Sequence, residues 1–178
     1  MHAKNMAETG HRKIMIKAVD TDVIIIAIAV FHELLLEELW IEFGAGTGRR
    51  WFPIHEYASR LGEQICSGIL FWYAFTGCDT TSSFAGRGKT SAWETWRAFP
   101  EVTESSKRLS DCPSTITEDD WALIERYVIL LYDRSSLNTD VNSARRQLFT
   151  KKGRPVDGLP PTKDALIQHT FRATYQSG

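Results

Sequence analysis

Cysteine is scarce. The chain has only Cys66, Cys78 and Cys112, an odd number with no C-x-x-C pair. That pattern excludes a disulfide-stapled framework, and reduced thiols in an intracellular compartment, nuclear or cytoplasmic, are expected. The five histidines (His2, His11, His32, His55 and His169) lack zinc-ligand spacing. His32-Glu33 begins like a metalloprotease helix, but no second histidine follows. No apolar run approaches the roughly 20 residues that span a bilayer; the longest, Val23 to Phe31, is far shorter. Met1 to Arg12 is polar and has no apolar signal core, so no secretory leader is expected. There is no internal repeat and no low-complexity tract. Net charge is also lacking: 21 Lys and Arg face 22 Asp and Glu. Nucleic-acid binding, if present, must therefore come from a local patch.

What is present suits a folded domain. The 178 residues are 43% hydrophobic and 24% charged, enough for a buried core in one domain or one domain with an appendage. Lys13 to Val19 is β-prone. Asp20-Thr21-Asp22 interrupts it, and a mainly apolar stretch follows from Val23 to Leu36. Its length without Gly or Pro predicts a helix, with Asp20 or Asp22 as N-cap. Glu38 to Phe43 alternates and predicts a second strand. Strand, helix and strand predict a right-handed βαβ unit with parallel strands. Ligand sites in such sheets lie at the carboxyl ends of strands, where Asp20 and Asp22 fall.

After this the chain reads as nearly all helix. Helices are predicted over residues 54–61, ended by Gly62, and over 63–76, 89–99 and 100–109. Thr117 is placed to open another by a capping box, running to Tyr132. Further helices are predicted over 137–152 and, capped by Thr162, over 163–175.

The most informative stretch is Thr76-Gly77-Cys78-Asp79-Thr80-Thr81-Ser82-Ser83-Phe84-Ala85-Gly86-Arg87-Gly88-Lys89. An aromatic helix delivers Asp79. A polar turn follows, and then Gly86-x-Gly88 just before a helix. Glycines there allow a tight turn with outward N–H groups, and Arg87 and Lys89 add positive charge. This composition suits a phosphate, with Gly88 expected to need a positive φ or a bare approach. The structural alternative is a helix–turn–helix corner, with glycines for turn geometry and Asp79 as a cap. Asp20, Asp22 and Asp79 together offer hard oxygen ligands for Mg²⁺ or Mn²⁺. The alternative for Asp20 and Asp22 is helix capping alone. Arg145-Arg146 and Lys151-Lys152-Arg154 either contact phosphates or form a solvated face.

Two motifs, in order, carry a resemblance. Val19-Asp20-Thr21-Asp22 resembles the paired metal-binding acids of the flap-endonuclease-like branch of the PIN-like nuclease superfamily. Gly77-Cys78-Asp79 followed by Gly86-Arg87-Gly88 resembles that family's segment in which a late metal-ligand Asp leads into a helix–hairpin–helix. Ala92 falls at the family's small helix residue. Lys89 comes one position before the usual Lys, where Thr90 stands instead. The string TGCDTTSSFAGRGK with AWETW is similar to mobile-element-like animal proteins that carry a PIN-like region.

The resemblance implies an α/β fold. A partial PIN-like parallel sheet would be followed by a largely helical region with a helix–hairpin–helix-like motif. It implies a disordered segment over 1–12, an incomplete nuclease core over 13–110 and a helical extension over 111–178. It implies a metal-dependent, structure-selective phosphodiester hydrolase of the 5′-nuclease type. Asp20, Asp22 and Asp79 would bind Mg²⁺ or Mn²⁺, and Gly86, Arg87, Gly88 and Lys89 would hold nucleic acid, DNA ahead of RNA. The family also carries acids upstream of this point, where the chain has only Glu8. The chain is therefore expected to be the C-terminal part of such a domain, weakly active or inactive alone. The alternative is a catalytically inactive fragment of a PIN-like domain that binds nucleic acid or a protein; a protein partner or a missing N-terminal part is among the expected partners. No membrane partner is expected.

Overall fold

A computed structural model describes residues 2–150 and 156–178. Lys151, Lys152 and Arg154 lie outside the described residues. The chain divides into two compact units at Leu70/Phe71.

The first unit begins with a short helix α1 (His2–Glu8), where the sequence predicts no order, and then holds a three-stranded sheet. Strand β1 (Lys13–Ala18) leads into helix α2 (Thr21–Val30) and strand β2 (Glu38–Phe43). β1 and β2 are parallel, with Lys13 opposite Glu38 and Ala18 opposite Phe43, so the βαβ expectation holds in its parallel pairing. Lys13 and Glu38 form an ion pair at the start of that register.

Two further details differ from the sequence reading. α2 ends at Val30 and passes through a 3₁₀ turn (Phe31–Glu33) into extended backbone at Leu34, not a helix to Leu36. Sheet pairing overrides local preference here. The N–H groups of Glu37 and Glu38 both donate to Arg12 O, at 2.8 and 3.1 Å, and Arg12 reaches Leu35 O. A fully helical 23–36 would carry the chain away from β1. The second difference is strand β3 (Arg50–Pro53), which pairs antiparallel with β2 and makes the sheet mixed. Four residues that contain two aromatics and end in proline leave little strand signature. Helix α3 (Ile54–Leu61) follows, with Ile54 and Ala58 fully buried, and Gly62 ends it at φ +80°. Leu39 and Ile41 from β2 are buried as well.

Helix α4 (Glu63–Phe75) contains the division between the units. The second unit comprises its last turn and α5 (Lys89–Ala98), α6 (Val102–Ser110), α7 (Glu118–Tyr132), α8 (Val141–Thr150) and α9 (Lys163–Ser177). α8 is shorter than predicted because Asp140 accepts from Ser143 N–H at 2.7 Å and so caps its start. Leu137, almost fully exposed, stays outside the helix.

An aromatic core holds these helices. Phe71 stacks on Phe75, and Trp72, Trp93 and Trp96 meet edge-on or tilted. Burying such side chains contributes about 1.5–3 kcal/mol each. Their polar handles are matched: Trp72 Nε1 donates to the Tyr127 hydroxyl at 3.2 Å, which donates to Ala92 O at 2.9 Å. Burial pushes the Tyr127 phenol well above its ordinary pKa.

Two acids act as internal anchors. Thr117 and Asp120 form the predicted capping box at the start of α7. Asp120 is buried and also binds Arg108 of α6 through two guanidinium nitrogens. Burial works against the Asp120 anion, but hydrogen bonds from Arg108, Thr117 and Ser105 hold its carboxyl below the ordinary range. Glu125, buried on α7, accepts from Val141 N–H and from Lys163 Nζ at 3.1 Å, so one carboxylate ties α7 to the starts of α8 and α9.

Removing the Asp120 charge breaks the helix cap and the Arg108 pair together. Arg108 is half exposed and can return to water, which limits the damage. Asp120→Asn is expected to lower stability by about 1–3 kcal/mol in urea unfolding.

Candidate functional site

The stretch from Thr76 to Lys89 joins α4 to α5. Its geometry follows from the end of α4. A helix leaves its last four carbonyls without intrahelical partners. For α4 these are the carbonyls of Trp72, Tyr73, Ala74 and Phe75, and each finds a named donor. Trp72 O accepts from Thr76 N–H at 3.0 Å and from its hydroxyl at 2.8 Å. Tyr73 O accepts from Lys89 Nζ. Ala74 O accepts from Gly77 N–H at 3.1 Å and from the Thr81 hydroxyl. Phe75 O accepts from His169 Nε2 at 2.7 Å.

Lys89 is therefore turned inward. Its ammonium also donates to Thr76 Oγ1 at 2.8 Å and lies 3.9 Å from the centre of the Tyr73 ring. The negative end of the α4 dipole and the ring face both favour a cation there. Arg87 makes the same kind of contact with α7. It donates to Tyr132 O at 3.2 Å, with its guanidinium 4.9 Å from the Tyr132 ring centre. Both cations expected at a phosphate thus hold helix ends.

The glycines also sort differently from expectation. Gly77 has φ +102°, and a Cβ there would lie 2.7–3.0 Å from Ser83 atoms. Gly86 has φ +67°. Gly88 has an ordinary extended φ of −84° and would present a Cβ to open space. It is the N-cap of α5 and supplies no side-chain cap. The left-handed positions are Gly77 and Gly86, and the expectation for Gly88 is corrected: nothing in its backbone requires glycine.

Asp79 lies exposed in the turn that Cys78 and Thr81 close by reciprocal backbone hydrogen bonds. The Cys78 sulfur lies 3.4 and 3.1 Å from the hydroxyls of Thr80 and Thr81. Partial burial opposes the thiolate, but these hydroxyls and the neighbouring N–H groups outweigh it and lower the thiol pKa.

Asp20 and Asp22 sit in the first unit, at the carboxyl end of β1. Asp20 is the N-cap of α2, its Oδ1 accepting from Asp22 N–H at 3.0 Å. Asp20 is exposed and Asp22 half-buried. Their oxygens fit a hard cation in kind. In number they do not suffice: among the described residues no group of three or more His, Cys, Asp or Glu is arranged to hold a metal ion.

His169 is the residue of this corner that sequence reasoning missed. It is buried between Phe75 and Phe84. A carbonyl only accepts, so Nε2 carries the proton, and Nδ1 is left to accept from Ser82 Oγ at 3.5 Å. Burial lowers its pKa; the Phe75 carbonyl opposes this, and the nearby Arg172 charge adds to it. No local spacing links residue 169 to residue 75.

Comparison of the chain with protein-family models, curated proteins and solved structures returns no match.

The corner makes two expectations. Gly77→Ala is expected to destabilise by about 2–4 kcal/mol through a strained φ and the clash with Ser83. Gly88→Ser should be neutral or stabilising by a few tenths of a kcal/mol, because serine is a better N-cap. Urea midpoints of the two variants compare them directly.

The second concerns pH. His169 is neutral in the fold and titrates nearer 6.5 once unfolded. Its contribution is therefore complete above about pH 6.5 and is lost as pH falls through the lower folded value. The wild type should lose stability from pH 7.5 to 5.5, and His169→Gln should lose less over the same interval. Parallel pH profiles for the two proteins would assign the loss elsewhere.

Proposed function

We propose that this chain is a 5′-nuclease-like domain that holds nucleic acid without hydrolysing it. The nucleic-acid part of the reading rests on the two motifs, Val19 to Asp22 and Gly77 to Lys89, and on their resemblance to the PIN-like, flap-endonuclease-like proteins. Holding in preference to cutting rests on one observation: of the five charged residues in those motifs, three are employed at helix ends, among them Asp20, one of the acids a metal would need. Asp20 caps α2, Lys89 the end of α4 and Arg87 the end of α7. Lys89 and Arg87 turn their charge toward carbonyls of the fold, and drawing them out to an external phosphate would weaken those bonds.

The motifs are thus retained as architecture. In this reading Gly77-Cys78-Asp79 and Gly86-Arg87-Gly88-Lys89 set the angle between α4 and α5, in the place of a helix–hairpin–helix.

One observation favours a second reading, that of a metal-dependent phosphodiester hydrolase. Asp20 stands at the carboxyl end of a strand in a parallel pair, with Asp22 in the first turn of the next helix. Ligand sites of parallel sheets occupy that location. Asp79 is exposed on its turn in the other unit, and the resemblance alone makes it the third ligand of this reading. Mg²⁺ or Mn²⁺ would supply an activated water and charge stabilisation of the leaving oxygen. The described acids fit such an ion in kind and not in number, and no catalytic step follows from them alone.

A nuclease assay with Mn²⁺ on 5′-flap and single-stranded DNA separates the two. No turnover above a protein-free control is expected from the wild type, and none from Asp79→Asn. Turnover by the wild type that Asp79→Asn abolishes would replace the first reading with the second.

A further inference from the structure

The anion contact that the glycine turn does not supply has another candidate on α8. From Val141 to Val156 the sequence holds five cations (Arg145, Arg146, Lys151, Lys152 and Arg154) and no acid, in a chain whose 21 cations face 22 acids. In sequence this is a basic run of the kind that a near-neutral nucleic-acid-binding chain requires.

The described part of the run has a definite shape. α8 buries Val141, Ala144 and Leu148 on one side. Arg145, Arg146, Phe149 and Thr150, with Val156 and Leu159 of the following turn, line a groove of about 570 Å³. Arg145 is fixed in place by Pro160 O, and Arg146 donates to the Ser143 hydroxyl at 3.2 Å. Neither arginine meets a carboxylate among the described residues, unlike Arg108, Arg134 and Lys163 elsewhere in this unit. Phe149 is 71% exposed although it is a large apolar ring.

Burial would be the ordinary fate of a phenylalanine beside Leu148. A ring held out in water next to guanidinium groups that meet no carboxylate among the described residues fits a ligand that carries flat apolar faces and negative charge together. Single-stranded nucleic acid has both, since its unpaired bases stack on aromatic rings while its phosphates meet arginines. A duplex hides its base faces and would use only the charge.

We infer that the Arg145–Arg146–Phe149 face of α8 binds single-stranded nucleic acid, Arg146 meeting a phosphate, Arg145 adding positive charge beside it from its seat on Pro160 O, and Phe149 stacking on a base. This rests on the reading that the chain holds nucleic acid, and it moves the contact from the Gly86–Lys89 turn to α8.

Fluorescence anisotropy with a labelled oligothymidylate, across a salt series, tests it on the whole chain. Phe149 and Arg146 are both exposed, so their alanine variants should fold as the wild type does, checked by circular dichroism. Phe149→Ala is expected to weaken binding about 5- to 50-fold and to leave the salt slope unchanged, since stacking carries no charge. Arg146→Ala is expected to lower the slope by about 0.7, the single-strand value per phosphate. A duplex of the same length should bind more weakly, and Phe149→Ala should not change its affinity. Binding that survives both substitutions with affinity and slope unchanged overturns this inference and leaves the nucleic-acid reading standing. So does equal competition by anionic lipid vesicles, which would mark a surface for charge alone. No binding by the wild type at low salt overturns both.

Discussion

Four carbonyls at the end of α4 organise the second unit. Each must be satisfied, because burying an unpaired carbonyl costs about 1–3 kcal/mol. The donors come from widely separated parts of the chain: Thr76 and Gly77 within a turn, Thr81 and Lys89 from the connection to α5, and His169 from α9. Meeting this one requirement fixes the path of the Thr76–Lys89 stretch, the start of α5 and the seat of α9. The aromatic core then fills the space these helices enclose. Lys89 illustrates how the effects rank. A lysine placed in water binds a phosphate weakly as a point charge. The same lysine at a helix C-terminus gains a dipole, a hydroxyl and an aromatic face.

The elements whose signals are local were legible in the sequence. Thr117 and Asp120 announced a capping box, and Thr162 announced the last helix; both caps form. β1 and β2 were readable from β-prone and alternating residues, and their parallel pairing from the helix between them. What escaped depends on partners far away in sequence. Leu34 to Leu36 favour a helix, but Arg12 draws the chain into register beside β1. β3 exists because β2 offers it an edge.

The candidate site divides along the same line. Asp20 as N-cap was one of two readings open in the sequence, and its hydrogen bond to Asp22 N–H bears it out. Arg87 and Lys89 are basic residues beside glycines, and composition alone assigns them to an external anion. Their actual acceptors, Tyr132 O and Tyr73 O, are backbone groups that no side-chain pattern advertises. The glycines mislead similarly: Gly-x-Gly suggests that both members matter equally, while φ singles out Gly86 and, earlier, Gly77. Motif spelling and motif employment are separate facts, and hydrogen bonds decide the second.

The bond from His169 to Phe75 O spans 94 residues. Its consequence lies in the order of events during synthesis. Chains emerge from the ribosome N-terminus first, at about 5–20 residues per second. The last turn of α4 must therefore wait several seconds with one carbonyl still facing water, until α9 is made. Contacts of long sequence separation form late because loop closure has to precede them. The corner that holds the end of α4 in the finished protein thus cannot be complete before α9 has been made.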